Sequence, residues 1–278
     1  MNVLSLFDGM SCGQLALNSL GVKVKKYFAS EIEEASIKVT QKNFPKTIQL
    51  GDVRKVKGKN LPKIDLIMAG SPCQGFSIAG GRLNFEDERS KLFFEFVRLL
   101  KECKPKYFLL ENVIMSDNIR DEISKILGVK PIRINSSLVT AQNRDRYYWT
   151  NIPNIKVPKD KGIILNDVIK EKGDWRGAAY RGVFNPNWVK EGTAKYPQKF
   201  QVRTKDRKSN CLVTTTNLAY IYNNKTKKHR KLTISEMERL QTVPEGYTSC
   251  VSKTAATKMI GNGWTVEVIK GMLENMKK

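Results

Sequence analysis

The first half of the chain alternates between two hydrophobic periods. "NVLSLF" (2–7) is a short apolar run that reads as a strand, and "GQLALNSLG" (13–21) has helical spacing closed by Gly21. "KVKKYFAS" (23–30) reads as a second strand, and 32–43 as a helix that stops before Pro45. Short strands at 47–50 and 64–69 precede "RSKLFFEFVRLLKEC" (89–103), a helix with one broad apolar face. "KYFLLEN" (106–112) has the near-continuous apolarity of a strand covered on both faces, and a helix near 117–127 and a strand near 130–135 follow. Strands alternating with helices predict an α/β fold on a mostly parallel, doubly wound sheet.

After "RYYWTNI" (146–152) the helical periodicity disappears. Residues 154–231 gain Gly, Asn, Lys and aromatic residues, and between 195 and 231 eleven Lys or Arg face one acid, Asp206. That stretch reads as a separate small, irregular domain. Helical pattern resumes in "TISEMERLQ" (233–241) and closes with "GWTVEVIKGMLENMKK" (263–278). At 278 residues the chain can build one large domain plus a smaller insert. The formal charge of +22 changes the picture more, because a surplus that large points to a polyanionic partner rather than a merely solvated lysine surface.

Five cysteines, at 12, 73, 103, 211 and 250, form no regular framework. The spacing argues for a reducing compartment and against a metal site. The start "MNVLSLFDG" lacks a basic signal segment, and no apolar run approaches ~18 residues, so a cytoplasmic protein without membrane contact is expected. The single histidine, His229, sits in the basic run "KTKKHRK". A cysteine hydrolase needs an imidazole to activate its thiol, so that class of reaction drops away.

One cysteine stands out. "GSPCQGFS" (70–77) puts Cys73 after a proline, in a Gly- and Ser-rich loop at the end of the strand "IDLIMA". Enzymes of this architecture keep their chemistry outside the carboxyl ends of strands, so the loop admits a functional thiol as readily as a packed one. "LFDGMSCG" (6–13) is a strand, a tight Gly turn and a helix start, without the GxGxxG spacing. Glu31 lies roughly 20 residues beyond that turn, where an acid accepts hydrogen bonds from ribose hydroxyls. "GDVR" adds Asp52, and Phe7, Glu31 and Asp52 at three successive strand ends describe an adenosine pocket. "ENV" places Glu111 and Asn112 at the next strand end, where a carboxyl beside a nucleophile can act as a general acid. "AQNRDRYYW" adds Arg144 and Arg146, two apart and on one side of a strand, fit to hold a phosphate or polarise a carbonyl.

Taken in order, FDGMSCG, SE, GDV, SPCQGFS, ENV, QNRDR and IGNGW resemble the DNA (cytosine-5) methyltransferase family. "RKLTISEMERLQTVP" (230–244) is similar to the block that this family carries between its specificity domain and its last helices. The resemblance covers 1–153 and 230–278 almost continuously. "LSLFDGMSCGQLALNSLG" and "KLFFEFVRLL" are most similar to the compact catalytic domains of animal de novo methyltransferases, while QNRDR keeps the glutamine of the bacterial enzymes. Two positions depart from the pattern: Cys12 stands at a small-residue position of the cofactor loop, and Ser71 precedes Pro-Cys where many relatives have a second proline.

The resemblance implies a Rossmann-like methyltransferase sheet, with a catalytic domain at 1–153 and 232–278 and a target-recognition domain at 154–231. It implies methylation of cytosine C5 in double-stranded DNA with S-adenosyl-L-methionine, through a covalent Cys–C6 intermediate and base flipping. Cys73 would attack C6, Glu111 bond N3 and the exocyclic amine with Asn112 beside it, Arg146 support O2, and Arg144 hold the neighbouring backbone or acid. Phe7 would stack on adenine, Glu31 hold the ribose, Asp52 accept from the adenine amine, and Ile32 and Val53 line the ring faces. Asp8, Gly9, Met10, Gly70, Pro72, Leu92, Asn262 and Trp264 complete the implied cofactor site. The Gly-rich stretch 75–90 reads as a loop that closes on DNA, with Gln74, Ser77 and Arg89 as contacts. "RTKDRKSNCLVTTTN" (203–217) would contribute Arg203, Lys205, Arg207, Lys208, Thr214 and Thr215. A restriction endonuclease is a candidate companion. Two rivals stay open: a transfer-RNA cytosine methyltransferase, which would share the catalytic half, and a binding-only relative, which usually lacks the Pro-Cys or Glu-Asn-Val residues kept here.

Overall fold

The computed structural model describes residues 1–71, 88–182, 198–214 and 219–276, with backbone alone at 88–90, 181–182 and 198–199. Its centre is a seven-stranded sheet of β1 (Asn2–Leu6), β2 (Lys26–Ser30), β3 (Ile48–Gln49), β4 (Leu66–Gly70), β5 (Tyr107–Val113), β6 (Ile132–Asn135) and β7 (Asp145–Thr150). The spatial order is β3-β2-β1-β4-β5-β7-β6. β1 to β5 pair in parallel, whereas β7 runs antiparallel to both β5 and β6. A mostly parallel sheet is what the alternation of strands and helices demands, and the antiparallel pair follows from the link 136–144, too short for a crossover helix.

Helices α1 (Cys12–Ser19), α2 (Glu34–Asn43), α3 (Glu88–Cys103) and α4 (Asp117–Leu127) connect these strands. Strand side chains alternate between two buried cores. Val3, Leu66, Met68 and Leu109 join one core with Ala16 and Leu17 of α1, and Leu4, Leu6, Ile67 and Leu110 join the other with Phe93 and Phe96 of α3. Covering both faces explains why β1 and β4 read as near-continuous apolar runs. Fully burying Phe93 or Phe96 contributes about 1.5–3 kcal/mol each, so α3 is held by packing rather than by helix propensity.

The segment expected to be irregular contains a second sheet. β8 (Trp175–Gly182), β9 (Gln198–Val202), β10 (Tyr220–Asn223) and β11 (His229–Lys231) form an antiparallel sheet in the order β11-β10-β8-β9. Its period-2 signal is weak because glycine, alanine and arginine occupy alternating places in "WRGAAYRG". Trp175 and Ile221 on its inner face belong to the same core as Leu240 and Ile260, so the sheet leans on the first core. A short helix α5 (Leu165–Val168) precedes it, and α6 (Ile234–Leu240), α7 (Lys253–Asn262) and α8 (Val266–Leu273) follow. The closing pattern 263–278 thus starts its helix three residues late, and α7 arises where only a motif had been read. Ser252 caps α7 by accepting from the Ala255 amide, and Ala256, Met259 and Ile260 face inward.

The chain turns from one side of the sheet to the other between β3 and β4, and β1 therefore lies between β2 and β4. The crevice outside the carboxyl ends of the strands at such a point is the usual ligand position of open α/β sheets.

Candidate active site

Three alternate residues of the turn after β1 hold left-handed backbone: Phe7 (φ 55), Gly9 (φ 57) and Ser11 (φ 59). Phe7 and Ser11 persist there only because the surroundings over-determine the loop. Asp8 anchors it, accepting from the Ser11 hydroxyl on one oxygen and from the Tyr27 hydroxyl at 2.8 Å on the other. Thr40 donates to Ser11, and the Tyr247 hydroxyl donates to the Met10 carbonyl at 2.8 Å. Burial pushes the Asp8 carboxyl up to about 6, against the pull of its hydroxyl donors. Met10 is only 1% exposed, so its side chain lies in the core, while the half-buried Asp8 spends both carboxylate oxygens on shaping the loop. Cys12 also points into the core, and burial raises its thiol to about 12.

Glu31, at the end of β2, accepts the Gly9 amide at 2.7 Å and the Ile32 and Glu33 amides at 2.7 and 2.9 Å. Ile32 beside it is 66% exposed, an apolar side chain with nothing over it. A Cβ on Gly9 would meet nothing within 4 Å, so the turn faces open space. Phe7 is half-buried against the core that contains Val53, and Leu92 packs against the same core. Asp52 caps the turn 53–55 and is gripped by Arg54 at 2.5 Å; those hydrogen bonds hold its carboxyl down at about 2. An acid on each of two adjacent strand ends, an exposed aliphatic side chain and an uncovered glycine turn fit an adenosine-bearing cofactor.

Across the crevice, Glu111 at the end of β5 pairs with Arg146 of β7 at 2.9 Å, with side chains 10% and 14% exposed. Its second oxygen accepts Trp264 Nε1 at 3.1 Å. Trp264 in turn lies over Gly70, where a Cβ would come within 2.8 Å of its indole nitrogen; only glycine lets the ring sit against the end of β4. Asn112 donates to the Ser71 hydroxyl at 3.1 Å and accepts the Val113 amide, steadying the chain where it leaves β4. Arg144 precedes β7 rather than sharing it. It donates to the carbonyls of Leu212 (3.2 Å), Gly261 (3.1 Å) and Gly263 (2.9 Å), tying the loop before β10 to the end of α7. Asn262 is exposed between two of those carbonyls. Pro72, Cys73, Gln74, Ser77 and Thr215 lie outside the described residues, as does the Arg89 side chain.

The C-5 cytosine-specific DNA methylase family model matches residues 1–125 and 119–278. The chain belongs to that family. The orphan methyltransferase M.Rho11sI of Bacillus phage rho11s is 35% identical over 187 residues, covering 62% of this chain and 37% of that one. Type II methyltransferase M1.ScrFI of Lactococcus lactis subsp. cremoris is 31% identical over 314 aligned residues, covering 99% of this chain and 77% of that one. The chain thus spans little more than a third of the first relative. The crystal structure of a Spodoptera frugiperda DNMT2 mutant shares the fold, with a TM-score of 0.71 at 19% identity over 99% of this chain and 98% of that one.

Within this methylase fold the basic stretch 203–214 divides in two. Lys208 is 8% exposed and donates to the Ser137 carbonyl at 2.6 Å, so it is a structural tie and not the surface contact expected of it. Arg203 is engaged with Asp206 at 2.6 Å, Arg207 reaches Asp174 at 3.8 Å, and Lys205 and Thr214 are exposed. Sequence reasoning noted Gln142 only as a family-type glutamine and gave it no role; it is fully buried, accepts the Leu212 amide at 2.9 Å and donates to Gln241 at 3.1 Å. The QNRDR and RLQ motifs contained both glutamines, yet only burial reveals them as the joint between the two sheets. Among the described residues no group of three or more His, Cys, Asp or Glu could hold a metal ion, and no helix is long and apolar enough to cross a membrane.

Proposed function

We propose that this chain methylates C5 of cytosine in double-stranded DNA with S-adenosyl-L-methionine, using Cys73 as nucleophile. The carrying observation is the buried Glu111–Arg146 pair beside the switch-point crevice, with Trp264 holding the other carboxylate oxygen. Glu31, Ile32, Asp52, Phe7 and the turn at Gly9 would hold the cofactor, which supplies an electrophilic methyl group when bound.

Cytosine C5 is a poor nucleophile. The Cys73 thiolate adds to C6 and pushes electron density to C5, while Glu111 holds N3 and the exocyclic amine and Arg146 holds O2. C5 takes the methyl, the C5 proton leaves to a base, and the electron pair of that bond expels the Cys73 thiolate. Both carbons are stacked inside a duplex, so the target base turns out of the helix first. Asn112 and Arg144 act through position, Asn112 on the loop that carries Cys73 and Arg144 on the loop before β10. Residues 154–231 form the recognition domain in this reading, with Lys205, Arg207 and Thr214 as its exposed DNA contacts.

The test is methyl transfer from labelled cofactor to duplex DNA and, in parallel, to transfer RNA. Transfer to DNA, with covalent trapping on 5-fluorocytosine DNA that Cys73→Ser abolishes, is the expected result. Preference for transfer RNA overturns the substrate, and absence of trapping in an active preparation overturns the role of Cys73.

A further inference from the structure

Every strand that runs in the direction of β1 is entered through lysine, β1 itself apart. Lys25 and Lys26 open β2, Lys46 stands before β3, Lys63 before β4, Lys104 and Lys106 before β5, and Lys130 before β6. All seven are exposed. They share the edge of the sheet opposite the crevice, because these strands point the same way. Lysines that form ion pairs lie elsewhere, among them Lys161, Lys170, Lys208, Lys258 and Lys270. Among the described residues none of the seven has a carboxylate within 4.0 Å. The nearest acids in sequence are already committed, Asp65 to the Asn2 amide at 2.7 Å and Glu102 to the Gly58 amide at 2.6 Å and to Arg98 at 2.7 Å.

We propose that this lysine edge is a second contact surface for duplex DNA, holding a separate segment of the polymer that carries the target. The inference rests on the DNA reading above. Five residues of β1, at about 3.3 Å each, separate the two ends of the sheet by about 17 Å. The Debye length in physiological salt is about 8 Å, so these charges contribute little to a duplex docked at the crevice. Seven strands leave six gaps of about 4.8 Å, making the edge about 29 Å long, enough to follow about eight base pairs. Once one segment is engaged, its neighbours are present at high effective concentration, which favours DNA over any other polyanion.

The competing physical account is that these lysines offset the negative C-terminal ends of α1 to α4, which gather at the same edge. The experiment separates the two. Lys25, Lys46, Lys63 and Lys130 are changed together to Gln, and binding is measured against salt on a target duplex of about 14 base pairs, little more than one helical turn, and on a long duplex. The variant should methylate and bind the short duplex like wild type. On the long duplex its salt slope should fall, by up to about 0.9 for each lysine that meets a phosphate. Wild type should also bring two differently labelled short duplexes together, and the variant should not. An unchanged slope, absent bridging by wild type, or lost thermal stability with DNA binding intact overturns the proposal. A wild type that bridges DNA yet transfers no methyl to it would sink the activity reading while sustaining this one.

Discussion

The two ends of the central sheet carry opposite charges in opposite conditions. At the carboxyl ends, Asp8, Glu31, Asp52 and Glu111 each hold named partners, from the Tyr27 hydroxyl to the Arg146 guanidinium. At the amino ends seven lysines stand exposed, with no carboxylate within 4.0 Å among the described residues. Helix dipoles favour this segregation, since helix N-termini gather at the first end and C-termini at the second. They do not account for the difference in engagement. A charge tied into a network acts over one or two bonds and can be tuned by burial. A row of charges without carboxylate partners acts chiefly as a field, whose effect depends on salt.

The comparison breaks most visibly at Glu111. Glu111→Gln removes the charge opposite Arg146 and the carboxyl that would serve the cytosine ring. Single-turnover methyl transfer should drop about 10²–10⁴-fold, with cofactor affinity little changed. Lys63→Gln, one charge at the other end of the neighbouring strand, should leave that rate alone. Equal losses in both variants would mean that net charge, not the pair, controls the reaction.

The carboxyl-end acids were legible in the sequence because short motifs at strand ends fix both residue type and position. Glu31, Asp52 and Glu111 needed only the βα alternation to be placed. What the residues do with their bonds was not legible. Asp8 and Met10 belong to the quoted cofactor loop, yet Met10 is buried in the core and Asp8 is committed to the Ser11 and Tyr27 hydroxyls. Lys208 sits among surface-type residues, and only its tie to the 137–140 turn hides it. The second sheet escaped because its strands are three to eight residues long and mix tyrosine, lysine and histidine on one face. The lysine edge was visible as a total of +22, but its arrangement needs the strand order.

Asp8 offers the next largest effect. Its carboxyl binds a proton more tightly in the folded chain, at about 6, than at the ordinary 3.8. Between roughly pH 4 and 6 the native state keeps a proton that the unfolded chain has lost, so stability falls as pH rises through that window. The full cost, about 3 kcal/mol, is present at neutral pH. Asp8→Asn cannot titrate, and the stability difference should move in its favour by that amount from about pH 4 to about pH 7. Denaturant unfolding across this range measures it, and parallel curves for the two proteins would show that Asp8 ionises normally.

Within the basic stretch the same contrast recurs over four residues. Lys208→Met should lower stability by about 1–3 kcal/mol, because the Ser137 and Thr140 carbonyls lose their donor in a buried position. Its salt dependence of DNA binding should stay that of wild type. Lys205→Ala should do the reverse, leaving stability unchanged and lowering the salt slope by about 0.9 if it meets a phosphate. Should Lys208→Met flatten the slope without destabilising the fold, the buried assignment of Lys208 is wrong.

Arg54→Ala is the smallest and sharpest break, because the Arg54–Asp52 pair is the carboxyl-end charge closest in character to the lysine edge. Arg54 is 61% exposed, so solvent screens the pair, and its contribution should be about 0.2–1 kcal/mol despite a carboxyl held down at about 2. A depressed acid stabilises the fold above its unfolded value of 3.8 and loses that contribution as pH falls toward about 2. The variant should therefore be slightly less stable than wild type at neutral pH and equal to it in strong acid. High salt at neutral pH should erase the difference too, since an exposed pair has only screened attraction to lose. A deficit that survives high salt would place the pair with Glu111 and Arg146, as local chemistry, and would make Arg54 part of the frame that presents Asp52 to a bound cofactor.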